Sequence, residues 1–258
     1  MVQVQDRHWW FEAKRRTVTS LLARYRVGEG SGAPRRVLEV GPGTGSMIDV
    51  MTRYGRMYAA DAYLPALQLL VEHCPAHADV APVGANLLDL PFAAESFSLV
   101  GCFDVLYHQN VADVTDALAE LRRVCEPGGY LAITDSAFPL LRSSHDVATQ
   151  AARRFRLPDL TAPLQEVGFR VAHATYFHTF LFPAAVGVRL SKRMLQGSPR
   201  LGGAGEEAEE VAAHSDLAPV APWLNALLLG LYRVETPLAT RFRMPFGSSL
   251  LILAQRAD

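Results

Sequence analysis

The sequence predicts a doubly wound α/β fold on a mainly parallel sheet of seven strands. Three observations carry this. Between residues 35 and 135, short apolar β-branched runs alternate with segments of helical periodicity. The first run stops at a glycine-rich turn that opens directly into a helical pattern, Glu39-Val40-Gly41-Pro42-Gly43-Thr44-Gly45. Half of the 258 residues are hydrophobic, enough for a sizeable core. Strand and helix in alternation imply right-handed crossovers, helices on both faces, and ligands bound beyond the carboxyl ends of the strands.

The elements follow in order. Phe11, Arg15, Val18, Leu22 and Tyr25 recur at four-three-four-three spacing, so about residues 7 to 26 read as an amphipathic helix. Arg35 to Val40 is the first strand, and Met47, Val50, Met51 and Tyr54 mark a helix from Ser46 to Tyr54. Arg56 to Asp61 is the second strand, and Pro65 suits the first turn of a helix reaching about His73. Asp79 to Val83 and Phe97 to Phe103 are strands three and four. A helix from Asp113 to Cys125, a turn at Glu126-Pro127-Gly128-Gly129 and a strand from Tyr130 to Asp135 follow. His173 and His178 alternate with apolar neighbours on a sixth strand, His178 as a pocket wall. Two apolar helices, Pro183 to Leu195 and Pro222 to Phe242, flank a Gly, Ser, Pro and Glu-rich stretch, Gly197 to Glu210, expected to be a mobile loop. Ser248 to Ala254 is the last strand. The chain thus divides into a helical cap (1–30), a core (31–178), a helical insertion or lid (179–247, with the loop at 197–210) and the closing strand (248–258).

A net charge of −1 offers no field for a polyanion, so nucleic acid is not an expected partner and a small molecule is. Cys74, Cys102 and Cys125 are odd in number, far apart and without zinc spacing, as for reduced core thiols in a cytosol. No signal peptide or transmembrane segment is legible: the most apolar stretch, Tyr176 to Leu190, holds His178, Pro183 and Arg189. A cytoplasmic location is expected; oligomeric state is not fixed.

Gly41, Gly43 and Gly45 give a cofactor close access to backbone at a strand end facing a helix amino terminus. The spacing is G-x-G-x-G, with Ser46 where dinucleotide binders place a third glycine. Asp61 ends the second strand twenty residues after Gly41, where a carboxylate accepts both hydroxyls of an adenosine ribose. The structural alternative makes the glycines a tight turn and Asp61 a helix cap. Glu39 either orients the turn or holds the amino-acid end of a cofactor.

The segments VLEVGPGTG (37–45), AADAY (59–63), LDLPFAAESFSLVGCFDVLYH (88–108) and ALAELRRVCEPGGYLAITD (117–135) resemble, in order, the motifs of class I S-adenosylmethionine-dependent methyltransferases with their Rossmann-like fold. The chain is similar in particular to the methyltransferase type 11 group, which includes ubiquinone and menaquinone biosynthesis enzymes. HWWFEAKRR (8–16), SSHD (143–146), EVGFRV (166–171), FLFP (180–183), PWLN and MPFGSSLL extend the likeness, to a bacterial subgroup, across the chain.

The resemblance implies Gly41 and Gly43 at the methionine portion of the cofactor, Asp61 with Ala62 at the ribose, and the strand-four end at Phe103 at the amino group. Where relatives commonly carry an acidic residue for the adenine amino group, this chain has Asn86, whose carbonyl accepts the same hydrogen bond. Leu87 offers its backbone N–H to the ring. Arg15, on the apolar face of the first helix, is placed to clamp the cofactor carboxylate, against the default of solvent exposure.

Methyl transfer needs in-line approach, a dry pocket and, only where the acceptor must lose a proton, a base. His108, just after strand four, is the first candidate; its alternative is a loop histidine that caps the next helix. The similar ubiquinone O-methyltransferases carry a metal-capable E-x-x-E-H where this chain has Asp104, Tyr107 and His108. Loss of the second carboxylate argues against a metal and leaves Tyr107 to orient an acceptor. His145 and Asp146, after strand five, face the same edge or form a salt-bridged or capping pair. His8, Trp9, Trp10 and Phe11 read either as an aromatic lid or as packing. Phe177, Phe180, Leu181, Phe182, Trp223 and Leu227 to Leu229 are expected to line an acceptor pocket or the core.

The function expected is S-adenosylmethionine-dependent O-, N- or C-methylation of a small, mainly apolar acceptor, with S-adenosylhomocysteine as product. Two alternatives remain at this stage: a non-methylating cyclisation or rearrangement on the same cofactor site, and a non-catalytic binding protein.

Overall fold

The computed structural model describes residues 8–29, 35–75, 78–187, 191 and 220–257. The chain begins with α1 (Trp9–Arg24), capped by the His8 ring, whose Nδ1 accepts the Trp10 N–H at 3.3 Å. Acidic Glu12 in its first turn and Arg24 in its last complement the helix dipole. There follow β1 (Arg36–Val40), α2 (Ile48–Met51) with a 3₁₀ turn at Thr52–Tyr54, β2 (Arg56–Asp61), α3 (Leu64–His73), β3 (Val80–Gly84) and β4 (Phe97–Phe103). Then come α4 (Val114–Val124), β5 (Cys125–Ser136), α5 (Ser144–Ala148), α6 (Leu157–Glu166), β6 (Phe169–Phe177), α7 (Pro222–Arg241) and β7 (Ser249–Arg256).

The sheet order is β3-β2-β1-β4-β5-β7-β6. All neighbours run parallel except β7, which is antiparallel to both β5 and β6. Strand order reverses between β1 and β4, and the crevice beyond their carboxyl ends is where a doubly wound sheet binds ligand. Because β7 is antiparallel, the carboxyl end of β6 lies on that same edge.

Alternation along the strands feeds two cores. On one face Leu38, Val100, Leu131 and Ile133 meet Leu118 and Leu121 of α4 and Leu160 and Leu164 of α6. On the other Val37, Leu99 and Leu253 meet Val18, Leu21 and Leu22 of α1 with Met47 and Met51. Each such aliphatic side chain contributes about 1.5–3 kcal/mol of burial, so α1 is integral to the fold.

Local differences from the sequence reading have local causes. The helix expected from Ser46 starts at Ile48 because residues 43–47 form a turn, with Gly45 N–H donating to Pro42 O and Ile48 N–H to Gly45 O. The turn expected at 126–129 becomes a bulge inside β5, since Cys125 already pairs with Phe97 and Tyr130 re-enters opposite Leu99. The helix expected from Pro183 is seen as a helical stretch over 182–187, and the loop at 197–210 lies outside the described residues.

The helix α7 packs along α1. Trp9 N–H donates to Asn225 Oδ1 at 2.8 Å, and Thr17 and Thr236 share a hydroxyl hydrogen bond of 3.3 Å. The buried face of α7 is Tyr232, Glu235, Thr236, Ala239 and Thr240. Trp223 and Leu227 lie on the opposite face, 69% and 63% exposed. Phe177 is buried and Phe180 is exposed. Among the described residues no helix is long and apolar enough to cross a membrane. The three cysteines are free, Cys102 and Cys125 buried and Cys74 half-buried.

Candidate active site

The carboxyl edge of the sheet is built by residues that leave their strands in a left-handed backbone conformation. Gly41 (φ 66°) follows β1, Asp104 (φ 60°) follows β4, Phe138 (φ 57°) lies just past β5, and His178 (φ 59°) follows β6. Three of these are not glycine, and such strain concentrates at functional edges.

The three glycines of the turn have different tasks. A Cβ on Gly41 would lie 2.4 Å from the Val105 side chain, and one on Gly45 would lie 2.5 Å from Ile48. Among the described residues a Cβ on Gly43 would meet nothing within 4 Å, although its φ is +54°. Gly41 and Gly45 are therefore demanded by packing, and Gly43 is left uncrowded. The turn is tied to β2 through Asp61: Oδ2 accepts the Gly43 N–H at 3.1 Å and Oδ1 accepts the Tyr63 N–H at 2.8 Å. The capping and ribose-binding readings of Asp61 are thus compatible, because an ionised carboxylate retains further lone pairs for ribose hydroxyls. Ala62 is exposed beside it.

Glu39 is 1% exposed at the end of β1, and its Oε2 has no hydrogen-bond partner among the described residues. Burial pushes its carboxyl up to about 8; Lys14 pulls down and Asp61 adds to the rise. Asp135, at the end of β5, is fully buried and held well above the ordinary carboxylate range by burial, then by Asp104, against N–H groups of Ser136, Tyr107 and Leu106. Glu39, Asp61, Asp104 and Asp135 thus place four carboxyl groups at the ends of β1, β2, β4 and β5.

The cation facing them is Lys14. It is 3% exposed, its Nζ lies 2.8 Å from Asp104 Oδ2, and it stands over the Trp10 ring at 4.9 Å. Arg15 sits at the rim: its guanidinium bonds Glu12 Oε2 at 3.1 Å and the Ser46 carbonyl at 3.4 Å, beside the glycine turn. Sequence reasoning missed Lys14, because a lysine in an amphipathic helix reads as solvated. The available signal was its spacing, three residues before Thr17 and seven before Leu21, both buried.

Just past β3, Asn86 is exposed and its Oδ1 accepts the Leu88 N–H at 3.1 Å, leaving its second lone pair and its amide N–H groups; Leu87 is buried. Phe103 is buried at the end of β4. Past it, Tyr107 lies within electrostatic reach of Asp104 and Asp135, and burial first, then these carboxyls, hold its phenol protonated. His108 is half-buried and its Nδ1 accepts the Asn110 N–H at 3.2 Å, so the neutral ring carries its proton on Nε2 and offers a donor there. The side chain of His145 lies outside the described residues. Its neighbour Asp146 forms the salt-bridged alternative: Oδ1 and Oδ2 bond Arg154 at 2.7 and 3.0 Å. Burial raises the Asp146 carboxyl, and Arg154 with the Ser143 N–H and hydroxyl outweighs it.

The aromatic segment of α1 closes onto a residue read earlier only as a pocket wall. The His178 ring, 1% exposed, stacks on Trp10 at 5.9 Å and meets Trp9 edge-on at 5.9 Å. Trp9 stacks on Tyr232 at 5.7 Å, and the Tyr232 hydroxyl hydrogen-bonds His178 Nδ1. Glu235, one turn further along α7, accepts the N–H groups of Thr179 (3.0 Å) and Phe180 (3.1 Å) and so fixes the turn that carries His178. Gly247 supports the same turn, since a Cβ there would lie 2.2 Å from the Phe177 carbonyl oxygen. Among the described residues no group of three or more His, Cys, Asp or Glu could hold a metal ion.

Fold and site together define a class I S-adenosylmethionine-binding enzyme. The cofactor carries a sulfonium and an ammonium, and an edge of four carboxyls with a buried, unpartnered Glu39 oxygen and an uncrowded Gly43 suits it.

Comparison with known proteins agrees. A family model described as a methyltransferase domain matches residues 38–133. An O-methyltransferase, rstn1, of Aspergillus nomiae is 30% identical over 162 residues, covering 58% of this chain and 71% of that one. Another, resE, of Aspergillus sclerotiorum is 26% identical over 193 residues, 70% of each chain. Among solved structures, a putative sarcosine dimethylglycine methyltransferase from Galdieria sulphuraria aligns with a TM-score of 0.59 at 15% identity, covering 95% of this chain and 86% of that one, which speaks to the fold. The chain belongs to this methyltransferase family and is an S-adenosylmethionine-dependent methyltransferase.

Proposed function

We propose that the enzyme methylates an oxygen of a small, mainly apolar acceptor. The observation that carries the reading is the Glu39–Asp61–Asp104–Asp135 carboxyl edge under the aromatic segment of α1. The two O-methyltransferase relatives support oxygen as the methylated atom.

In this reading Glu39 and the backbone at Phe103 receive the cofactor ammonium, Gly41 and Gly43 pass under its methionine portion, and Asp61 with Ala62 receives the ribose. Asn86 and the Leu87 N–H meet the adenine, and Arg15 or Lys14 its carboxylate. When bound, S-adenosylmethionine supplies an electrophilic methyl on a cationic sulfur, and departure of the neutral thioether takes the bonding electron pair with it. Trp9, Trp10 and Phe11 keep water from the edge. Tyr107 and His108 reach the acceptor as proton donors that orient it, with His145 as a third candidate. The protonated Tyr107 phenol supports an acceptor that arrives ionised or needs no base. The reading also keeps the acceptor a small molecule, nucleic acid excluded, in a cytoplasmic setting, and treats 1–30 and 179–247 as cap and lid over the core 31–178 closed by 248–258.

Calorimetry with S-adenosylhomocysteine, followed by release of that product with panels of phenols, amines and carbon acids, tests the reading. Turnover without S-adenosylhomocysteine would instead favour a cyclisation or rearrangement, and no cofactor affinity would favour a binding protein.

A further inference from the structure

The methyl-transfer reading does not use a deeply buried polar cluster outside the cofactor turn, the one around His178. Its Nδ1 is held by the Tyr232 hydroxyl, and its Nε2 is buried with no hydrogen-bond partner among the described residues. A buried imidazole nitrogen without a partner costs stability, so its retention calls for a ligand.

The tautomer follows from counting donors. Among the described residues Nδ1 is the one hydrogen-bond partner of the Tyr232 hydroxyl. Burial, then Glu235, pushes that phenol up, so it keeps its proton. If Nδ1 donated to the tyrosine oxygen, both the tyrosine proton and the Nε2 lone pair would be stranded. With Tyr232 donating to Nδ1, only one group remains unmet, an Nε2–H donor. Burial, then the nearby Lys14 ammonium, pulls His178 down to about 3, so the ring stays neutral and keeps this tautomer.

We propose that His178 is an acceptor-binding residue, its Nε2–H donating to an oxygen at the edge of a planar, phenol-like acceptor. The position fits. His178 leaves the carboxyl end of β6 with φ 59°, held by Glu235 through the next two N–H groups, so the ring is aimed by backbone and by Tyr232 alike. Trp9, Trp10 and Phe177 pack on the ring itself, so the surroundings of Nε2 are aromatic, and these suit a flat apolar acceptor. The charged groups around it are Lys14, which also reaches Glu39 electrostatically, and Glu235, whose oxygens are taken by Thr179 and Phe180. A donor beside an ammonium favours a phenolate over the neutral phenol.

This inference rests on the methyl-transfer reading for the role of the acceptor, and its test is separable. In the full chain labelled with ¹⁵N-histidine, His178, assigned by its loss in His178→Leu, is expected to show Nε2 protonated and Nδ1 unprotonated from about pH 5 to about pH 8. A protonated Nδ1 with a bare Nε2, or titration near the usual value, overturns it. 4-Nitrophenol, whose visible band reports ionisation, is then titrated with and without S-adenosylhomocysteine. Wild type is expected to ionise the bound probe about one pH unit lower, a tenfold preference for phenolate. His178→Leu loses the preference while S-adenosylhomocysteine affinity changes less than about twofold, and His178→Gln, which restores an N–H, recovers part of it. Should His178→Leu not fold, Tyr232→Phe, which frees Nδ1 and the tautomer, is expected to lose the preference too. Equal probe binding and ionisation in wild type and variants, or none in wild type, overturns the proposal. Failure of S-adenosylhomocysteine to bind sinks the methyl-transfer reading and leaves the phenolate result, measured in its absence, to stand or fall alone.

Discussion

Lys14 reaches from the first helix to Asp104 at the end of β4, Nζ to Oδ2 at 2.8 Å, with side chains 4% and 18% exposed. This one contact joins the aromatic segment of α1 to the sheet edge and brings an ammonium close enough to lower Glu39 and His178. Replacing Lys14 by Met leaves the Asp104 carboxylate without its ammonium partner and is expected to destabilise the chain by about 3 kcal/mol, the scale for removing one partner of a largely buried pair. Urea unfolding of Lys14→Met against wild type measures it; a loss below about 0.5 kcal/mol would show the pair to behave as a surface one.

Glu39 links cofactor affinity to pH. Its folded carboxyl titrates near 8 against an ordinary 4.5, so between those values folding takes up a proton. The sign follows: this group opposes folding least below 4.5, and stability falls as pH rises towards 8. A bound ammonium favours the ionised form, so S-adenosylhomocysteine should bind more tightly as pH rises to about 8, releasing a proton. Calorimetry in buffers of different ionisation enthalpy reads that release. In Glu39→Gln the pH dependence disappears and affinity is lower throughout.

The glycine turn separates folding from binding. Gly41→Ala drives a Cβ into Val105 and is expected to lower the melting temperature markedly. Gly43→Ala meets no atom of the described residues, so it is expected to cost only the left-handed backbone penalty of about 1–2 kcal/mol while removing cofactor clearance. Comparable melting temperatures for the two variants, or full cofactor affinity in Gly43→Ala, would overturn this division.

Asp61 is expected to serve turn and ribose together. Asp61→Ala removes the acceptor of the Gly43 and Tyr63 N–H groups and should weaken S-adenosylhomocysteine binding at least tenfold, since hydrogen bonds to a charged group contribute about 1.5–3 kcal/mol each. Asp61→Asn, which retains one acceptor oxygen, should fall between. Adenosine alone is the control, and its affinity should drop in parallel if the ribose is what Asp61 holds.

Asp146 and Arg154 form a pair with side chains 3% and 8% exposed that belongs to structure. Arg154→Met should destabilise by about 3 kcal/mol with cofactor affinity unchanged. The Asp146 carboxyl is held below its usual range, so this stabilisation is present above the ordinary carboxylate pKa and is lost as pH falls through the lowered one. Acid unfolding of wild type and variant should therefore converge.

The sequence by itself determined the sheet and the cofactor turn. Arg56–Asp61 and Phe97–Phe103 are strands at the bounds the pattern predicts, because alternation and flanking turn residues act locally. Gly41, Gly43 and Asp61 were legible for a similar reason: one turn and the next strand end hold them together. Which glycine is crowded and which is open was decided by packing, through Val105 and Ile48. The same holds for Lys14, His178, Tyr232 and Glu235, which are separated by as many as 221 residues and meet only because α1 lies along α7 above the ends of β4 and β6. Read locally, a lysine in an amphipathic helix is solvated and a histidine in an apolar strand is packing. Burial turns the first into the partner of a carboxylate edge and leaves the second with a single unmet donor, and burial is a property of the assembled chain.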